Sequence, residues 1–499
     1  MAKSLKNTLI TMNEWMAFHP FDKPDAEEFE YLRVAQQIYK KLTKTIPEDQ
    51  MPYETMKALS LMMTAYLEDV VSDYGLWAAF RRMHNAMYGR LLPFVDVDTN
   101  EYIEDEINPE DVQVLVWMVL QHNAAPNAIV HPRGFAVEGV SEVVYEVLFE
   151  AFETVPVNEK LGEFYREADI YEDFFEFRNV YKIFFSTSYL FLGAGMGMVY
   201  ATLDSLRRSN ASEQFAYSVL ENIDLENVLG PLSMFAHEYW AELIADMPKE
   251  SAILKSVVYH KPALFEYIGK EEQAYQFKLW NSEEIFNVAI DSFDLNEKAT
   301  EEYFVLTQLV RFNGIWNING AVAYIPKDEA EKSPMAQEVR AKAENKETYE
   351  LMLKANDGSP IAYIGEASDL QEFLGKVFAD LPQQKLPKDV NEDACFVVYA
   401  TPEIGISFVP QLARMLKSSD NPFYDEAFAE NNAMSVIASK GYCGKELLHY
   451  IIENKMLPDA MLNPIHGKEA AKALVQTNMD FIARFFLQQD YTGNDYLHA

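Results

Sequence analysis

The sequence predicts a mainly α-helical protein with an α+β C-terminal part, in which a multi-helix N-terminal domain precedes a small antiparallel sheet flanked by helices. Two observations support this fold class. Apolar residues recur at helical spacing behind N-cap signals through most of the first 300 residues, and Asn-Gly pairs among β-favouring residues follow. A chain of 499 residues is long enough for two or three domains of about 100–200 residues each. We therefore predict an acidic α-helical domain at 1–300 and an α+β domain with C-terminal helices at 301–499.

The helices of the N-terminal part are marked by periodicity and by their ends. The segment AEEFEYLRVAQQIYKKLTK places Phe29, Leu32 and Ala35 on one face. The segment NPEDVQVLVWMVLQHN opens with Asn108 as N-cap and Pro109 at the first helical position. Cap or proline signals predict three further helices, in SEVVYEVLFEAFETV, GPLSMFAHEYWAELIADMP and NSEEIFNVAIDSF.

Residues 183–203, IFFSTSYLFLGAGMGMVYATL, form a run of 21 residues without a charge. A membrane span is disfavoured because Ser, Thr and Tyr dilute the apolar character and the flanks show no one-sided basic excess. A dinucleotide loop needs G-x-G-x-x-G, whereas the glycines here are Gly193, Gly195 and Gly197. We predict a helix buried on all sides, with glycines where a neighbouring helix crosses.

The predicted sheet follows residue 300. The segment LVRFNGIWNINGAVAYIP holds two Asn-Gly pairs, which suit the positive φ of hairpin turns. The segment TYELMLKANDGSPIAYIG repeats this pattern around Asp357 and Gly358, and ACFVVYATPEIGISFVP predicts two strands joined by a turn. Between them, KDEAEKSPMAQEVRAKAENKE is highly charged and predicts an exposed helical insertion.

The charge of the chain is strongly negative. Its 42 basic and 78 acidic residues give a net charge of −36, of which −25 falls in residues 1–300. Such a field repels phosphate backbones and anionic lipid head groups, so we expect no direct nucleic-acid binding, but attraction of basic partners. Only two cysteines occur, and the N-terminus has no signal-peptide pattern, so we expect a cytoplasmic protein.

One stretch carries a family resemblance. Residues 67–120 combine an acidic pair, a tryptophan, a basic-aromatic helix, LLPF, an acidic loop and an apolar helix. In this order they resemble an uncharacterised family of proteins from anaerobic gut-type bacteria, known only as a domain of unknown function. The stretches FNGIWNINGAV and NPFYDEAF are similar to the same family. The resemblance implies no activity, cofactor or catalytic residue.

The acidic loop DVDTNEYIEDEI contains the weak metal candidates. Asp96, Asp98 and Asn100 occupy the first, third and fifth positions of an EF-hand calcium loop. Glu101 replaces the glycine of position six, and Ile107 replaces the bidentate glutamate of position twelve. The mismatch favours a solvated loop, and we expect no cofactor and no dedicated metal site.

The helix AHEYWAELIAD carries Glu238, Glu242 and Asp246 on one face at i, i+4, i+8 spacing. A metalloprotease helix needs a second histidine four residues after His237, and Ala241 stands there. Like charges in a row repel one another unless a basic group lies between them. We therefore predict a partner-binding face for a basic protein, with a solvated helix face as the alternative.

The segment YCGKELLHYIIENK places Cys443 just before a predicted helix. The positive end of a helix dipole favours the thiolate, and Lys445 adds to this effect. His449 lies about 120° around the same helix, so a paired base would have to come from elsewhere in the fold. Cys443 is thus the candidate catalytic residue, and a partly buried structural thiol is the alternative.

These observations lead to three hypotheses of function. The leading one is a cytoplasmic, non-enzymatic interaction or adaptor protein whose acidic helical surface binds a basic partner, because the sequence shows no G-x-S-x-G, S-x-x-K or C-x-x-C motif. The second is an enzyme with a fold-assembled site in the C-terminal domain, using Cys443. The third is a mimic of nucleic acid, which requires carboxylates regularly spaced on one face.

Overall fold

The computed structural model describes residues 9–98, 100–124, 130–378, 394–438, 442–458 and 468–487. The chain forms two compact units, of which the first extends to Tyr324 and the second begins at Ile325. Within the described residues, the first unit contains α-helices followed by a closed barrel, and the second contains an antiparallel sheet with helices. The predicted fold class, mainly α with a small antiparallel sheet flanked by helices, is confirmed.

The helices of the first unit follow the periodic segments of the sequence. They are α1 (Met12–Met16), α2 (Ala26–Thr45), α3 (Tyr53–Val71), α4 (Leu76–Tyr88), α5 (Pro109–His122), α6 (Phe135–Phe152), α7 (Glu159–Phe164), α8 (Asp169–Glu172), α9 (Phe174–Thr187), α10 (Ala194–Arg208), α11 (Glu213–Glu226), α12 (Ala236–Leu243) and α13 (Pro248–Lys255).

Helix α3 lies at the centre of this helical part. From Leu59 to Asp69 every residue of α3 is buried, because the sequence is apolar almost without interruption there. The helix packs against α2, α4, α5 and α6. Fully buried aromatic side chains, Trp15, Trp77 and Trp117 among them, fill the surrounding core. Each such side chain stabilises the fold by about 1.5–3 kcal/mol through burial.

The prediction of one buried helix at 183–203 is wrong. Helix α9 ends at Thr187, a 3-10 turn covers Tyr189–Phe191, and α10 begins after Gly193, whose φ of +74° suits glycine. Most of α10 is exposed or half-buried. Composition alone misses the break, because all its residues are uncharged and several favour helix.

The glycine run nevertheless contains one close helix approach, as predicted. A Cβ atom at Gly195 would lie 2.0 Å from the carbonyl oxygen of Phe185 in α9, whereas one at Gly197 would meet nothing within 4 Å. Only Gly195 is therefore required for the packing of α10 on α9. Among the described helices, none has the length and apolar character that crossing a membrane requires.

A barrel completes the first unit. It consists of β1 (Val258–Lys270), β2 (Ala274–Leu279), β3 (Ile285–Ala289), β4 (Tyr303–Phe312) and β5 (Ile315–Pro326), in the order β1-β2-β3-β5-β4. The pairing of β3 with β5 is parallel, and β2 runs antiparallel to β1 and β3. The predicted domain boundary at residue 300 lies between β3 and β4.

The helix predicted in NSEEIFNVAIDSF is also wrong, because the segment contains β3. Burial alternates along this strand, with Phe286 and Val288 inside the barrel core and Ile285 exposed. This period of two is the signature of a half-buried strand. The Asn313-Gly314 hairpin turn between β4 and β5 is confirmed, with both residues at positive φ.

The second unit is built around β6 (Ile361–Ile364), β7 (Phe396–Thr401) and β8 (Gly405–Pro410), which form an antiparallel sheet in that order. Its helices are α14 (Pro334–Ala355), α15 (Ala367–Val377), α16 (Glu426–Asn432), α17 (Met434–Ala438), α18 (Lys445–Glu453) and α19 (Lys468–Leu487). The central strand β7 is buried at every position, and Met352 of α14 and Leu370 of α15 belong to its core.

Two turn predictions need correction in detail. Asp357 and Gly358 form a turn between α14 and β6, because TYELMLKA continues the charged helix instead of forming a strand. Gly320 has a φ of +91° but lies inside β5, where a Cβ would approach the Cα of Ser218 to 3.3 Å. The second Asn-Gly pair therefore marks a close backbone approach and not a hairpin.

Candidate functional site

Helix α6 presents a row of carboxylates to solvent. Glu138, Glu142, Glu146 and Glu150 follow one another at intervals of four residues, and all are exposed. At about 100° and 1.5 Å per residue, the row stays within an arc of about 120° and extends about 18 Å along the helix axis. The opposite side of α6, which includes Val144, is buried where the helix packs on α2 and α5.

Two large aromatic side chains lie within the same arc. Phe135 is 82% exposed and Phe149 is 61% exposed. They are 14 positions apart, which places them about 21 Å apart along the axis, Phe135 ahead of the carboxylate row and Phe149 beside its last member. Exposed apolar groups rimmed by charge are typical of interaction surfaces. We call this surface, formed by Phe135, Glu138, Glu142, Glu146, Phe149 and Glu150, the α6 face.

Most of the charge on the α6 face is uncompensated. Lys41 pairs with Glu146, with a distance of 2.6 Å between Nζ and Oε2. Within the described part of the chain, no basic side chain pairs with Glu138, Glu142 or Glu150. A row of like charges at this spacing repels itself, so a cationic group set against it lowers the electrostatic energy.

The predicted face of Glu238, Glu242 and Asp246 lies on and just after α12, where the chain's own basic residues reach it. The Arg82 guanidinium donates to Oε1 of Glu242 at 2.8 Å. The Arg166 guanidinium donates to both carboxylate oxygens of Asp246 at 2.8 Å and lowers the pKa of that carboxyl. Glu238 accepts the Phe235 N–H at the start of α12, at 2.8 Å. A partner-binding role for this face stays a prediction.

The weak calcium candidates lie in an exposed loop. The Asp98 carboxylate accepts the backbone N–H and the side-chain amide of Asn100, both at 2.9 Å, and these hydrogen bonds lower its pKa. The Asp96 side chain is 93% exposed and lies 3.6 Å from Arg133. Metal binding by this loop stays a prediction.

Cys443 precedes α18 as predicted, with Gly444 as the N-cap, but its electrostatics differ from the expectation. The side chain is buried, and its Sγ lies 3.9 Å from the Val436 carbonyl oxygen. Burial raises the pKa of the thiol to about 12, so the expected lowering by the helix dipole does not prevail. His449 pairs with Glu453 at 2.6 Å. A catalytic role for Cys443 stays a prediction.

Three buried side chains meet in the first unit, at a place that no sequence motif marked. His19 follows α1, Glu28 lies in the first turn of α2, and Glu68 lies near the end of α3. His19 Nε2 is 2.7 Å from Glu68 Oε2 and 3.3 Å from Glu28 Oε2. All three residues are at most 4% exposed. We call His19, Glu28 and Glu68 the His19 centre.

The surroundings of the His19 centre hold these side chains in place. His19 Nδ1 lies 3.2 Å from the Trp15 carbonyl oxygen, and the Trp15 indole donates to Glu28 Oε2 at 2.8 Å. The Asn158 side-chain amide donates to Glu28 Oε1 at 3.0 Å and to Glu68 Oε1 at 2.8 Å. Each carboxylate is thereby oriented toward the imidazole by a neutral donor.

The pKa values at this centre reflect burial and mutual charge. Burial lowers the pKa of His19. The charge and hydrogen bond of Glu68 and the charge of Glu28 raise this pKa by more than burial lowers it, so the net shift is upward. Burial raises the pKa of Glu28, and the charge of Glu68 adds to the increase, against the opposing effect of His19. Both pKa shifts therefore favour the protonated form of the group concerned.

Asp69, the residue after Glu68, accepts hydrogen bonds from the backbone at the start of α4. The Asp69 carboxylate accepts the backbone N–H groups of Gly75, Leu76 and Trp77 at 2.7–3.1 Å and the Tyr189 hydroxyl at 2.7 Å. With four donors, this buried carboxylate is fully satisfied and has a structural role.

Asp224 of α11 is a buried carboxylate without such support. It is 1% exposed, and no described side chain hydrogen-bonds to its carboxylate oxygens. Burial raises the pKa of Asp224 to about 7, against the opposing charge of Lys182 and the nearby backbone N–H groups. Ionisation of Asp224 therefore lowers the free energy of unfolding.

The second unit contains a polar groove of about 830 Å³. Its lining includes Asn356, Tyr363, Lys417, Asp420 and Tyr450, but not Cys443. Burial raises the pKa of both tyrosines, which keeps their hydroxyls protonated at neutral pH. The groove can hold a small polar ligand, and it is separate from the predicted nucleophile.

The α6 face and the His19 centre differ in how far the sequence alone predicts them. The row at 138, 142, 146 and 150 is readable in the sequence as i, i+4 spacing, as is the shorter row in α12, and the spacing alone does not show which of the two is exposed. His19, Glu28 and Glu68 share no local motif. Their only signal is the Glu68–Asp69 pair within an otherwise apolar helix, since a charge there requires a buried partner.

Comparisons with known proteins place the chain in a family without giving a function. A family model described as "Protein of unknown function (DUF3843)" matches residues 10–270 and 310–488. The match includes the stretch 67–120 and the two later stretches that carry the resemblance noted from the sequence. Neither the curated proteins nor the solved structures searched contain a match.

Proposed function

Since the chain belongs to the DUF3843 family, whose function is unknown, we propose a function from its own geometry: it is a cytoplasmic, non-enzymatic interaction protein that binds a basic protein partner through the α6 face. The observation that carries this proposal is the coincidence, on one helix face, of unpaired carboxylates with two exposed phenylalanines. Charge alone would serve solubility, and an isolated phenylalanine on a surface is common.

The partner that fits the α6 face is a Lys/Arg-rich amphipathic helix. Phe135 and Phe149 offer two apolar anchor points about 21 Å apart, which is close to four helical turns of a partner. Glu138 and Glu142 lie between them and Glu150 directly follows Phe149, and all three are available to lysine or arginine side chains. Apolar anchors supply most of the affinity of such interfaces, and the charges supply attraction and register.

The alternatives receive less support from the same residues. Mimicry of nucleic acid needs a dense charge row, and α6 carries one carboxylate per 6 Å or so, against one phosphate per 3.4 Å or so along a DNA strand. A thiol-dependent enzyme needs an accessible, low-pKa cysteine, and burial raises the pKa of Cys443 to about 12. An enzyme of another kind, in the polar groove of the second unit, remains the alternative.

A defined peptide tests the proposal. We expect a fluorescein-labelled amphipathic peptide of about 18 residues, built from Lys and Leu, to bind the full chain in fluorescence anisotropy, and to bind more weakly in salt well above 0.1 M, where the Debye length falls below about 10 Å. Glu138→Gln, Glu142→Gln and Glu150→Gln in one variant should weaken binding about tenfold, since each exposed charge contributes about 0.5 kcal/mol. Phe149→Ser should weaken it independently of salt.

The matched control removes the same charge elsewhere. Glu101→Gln, Glu104→Gln and Glu106→Gln neutralise three exposed carboxylates of the loop before α5 in the same unit. This control should bind the peptide as the wild type does. Equal loss in both triple variants would show that only net charge matters, and unchanged binding by the α6 variant would exclude the α6 face.

A further inference from the structure

We propose that the His19 centre is a structural site for a divalent transition-metal ion, with His19 Nε2, Glu28 Oε2 and Glu68 Oε2 as its protein ligands. This inference is independent of the proposed partner binding, because the His19 centre is buried and the α6 face is exposed. It rests on the arrangement of the three ligand atoms, on the groups behind them and on the charge balance of the cluster.

The three ligand atoms lie close to one another. Each residue contributes one ligand atom, and these atoms all lie within 4.8 Å of one another. At metal–ligand distances of about 2.0–2.2 Å, tetrahedral ligands are separated by about 3.4 Å. The 3.3 Å between His19 Nε2 and Glu28 Oε2 matches this separation, and Glu68 Oε2, now 2.7 Å from the imidazole, has to retreat by about 0.7 Å on binding.

The groups behind the ligands are those of a metal site. A metal-bound histidine donates its other ring N–H to a carbonyl or carboxylate, and His19 Nδ1 lies 3.2 Å from the Trp15 carbonyl oxygen. With Nδ1 protonated and engaged in this way, Nε2 is the ring nitrogen that faces the two carboxylates and would supply its lone pair to the ion. The other oxygens of Glu28 and Glu68 both accept from the Asn158 amide, which fixes the two carboxylates relative to each other.

The charge of a dication complements the cluster. Two carboxyl groups and one imidazole meet here, and the residues are at most 4% exposed. Uncompensated charge in such an interior is costly. A dication neutralises both carboxylates without protonating the imidazole.

The chemistry of the donors selects the ion. One imidazole nitrogen and two carboxylate oxygens suit Zn²⁺ or Mn²⁺ better than the all-oxygen preference of Ca²⁺ or Mg²⁺. Because the centre is buried and joins the α1–α2 connection to α2 and α3, the ion would hold these elements together instead of acting on a substrate. Metal binding would then add to the folding stability of the first unit.

Metal analysis of the full chain tests the proposal. We expect protein purified without a metal-affinity step, from cells supplied with zinc and manganese, to contain close to one equivalent of one of these metals. Chelation should lower the thermal midpoint, and one equivalent of Zn²⁺ should restore it. Cobalt(II) added to the stripped protein should give visible d–d absorption that saturates at one equivalent, a readout that needs no variant and therefore does not depend on the folding of a mutant.

Variants locate the ion. Glu68→Gln and His19→Gln should abolish the stoichiometric metal, whereas Asp98→Asn in the exposed acidic loop should leave it unchanged. Wild-type protein that is folded, contains no metal and shows neither cobalt absorption nor a response to chelation would overturn the proposal. Loss of the metal in Asp98→Asn, with retention in Glu68→Gln, would equally overturn it.

Discussion

Replacing Asp224 by asparagine should remove a pH-dependent weakness of the first unit. The Asp224 carboxyl is buried, and its pKa is raised to about 7 from an ordinary value of 3.8. Between these two values the folded protein holds a proton that the unfolded chain has released, so stability falls as pH rises through this window. Asparagine has nearly the same shape and does not titrate.

The size of the effect follows from the pKa difference. At about 1.4 kcal/mol per pKa unit, raising the pH from about 5 to about 8 should cost the wild type about 2–3 kcal/mol through Asp224 alone. The asparagine variant lacks this loss. Its unpaired amide adds a penalty of about 1–3 kcal/mol that does not change with pH, so the slope against pH, and not the stability at one pH, tests the reasoning.

Urea unfolding followed by tryptophan fluorescence is the suitable assay. All 6 tryptophans lie in the first unit, at 15, 77, 117, 240, 280 and 316, so their emission reports the unfolding of that unit. His19 and Glu28 also titrate differently in the folded state, but they are common to both proteins and cancel in the difference.

The control is Asp105→Asn, which removes an exposed carboxylate from the same unit. It should leave the pH slope of the wild type unchanged. If Asp224→Asn lost stability with pH as steeply as the wild type does, Asp224 would not be protonated in the folded protein at about pH 5, and the argument from burial would be refuted.

Three further changes have expected outcomes. Gly195→Ala should destabilise the first unit by about 1–3 kcal/mol, because its Cβ would meet the Phe185 carbonyl. Gly197→Ala, whose Cβ meets nothing within 4 Å, should stabilise the unit by about 0.5–1 kcal/mol. Equal urea midpoints for the two variants would contradict this reasoning. Iodoacetamide should label Cys443 only after denaturation, as peptide mapping can show, and rapid labelling of native protein at neutral pH would contradict its burial. Asp69→Ala should cost about 2–4 kcal/mol by leaving three backbone donors unpaired, and an unchanged urea midpoint would disprove that role.

Local patterns predicted the elements whose residues carry their own signal. The Asn313-Gly314 turn and the β7–β8 hairpin followed from turn chemistry, and the start of α5 followed from Asn108 and Pro109. The barrel strands before residue 300 were missed in part because NSEEIFNVAIDSF opens with a helix-cap pattern, and only its pairing partners decide in favour of a strand.

The candidate sites, too, were predictable only where a single segment carries the pattern. A row of glutamates at four-residue intervals is visible in one segment, but the exposure of Phe135 and Phe149 depends on what packs around α6. The His19 centre joins residues 19, 28 and 68, which are brought together only by the packing of three elements. For Cys443 the sequence predicted the helix end correctly, whereas the depth of burial, which sets the thiol pKa, comes from the tertiary structure.

Helix α3 owes its rotational setting to two adjacent acids. Its apolar side chains would tolerate several orientations, since the helix is buried nearly all round. Glu68 and Asp69 face two different sets of hydrogen-bond donors. Rotation of the helix by about 100° about its axis would leave both carboxylates without these donors. The two acids therefore select one orientation of α3 about its axis. A chain carrying leucine at both positions should still collapse but lose its single well-ordered core.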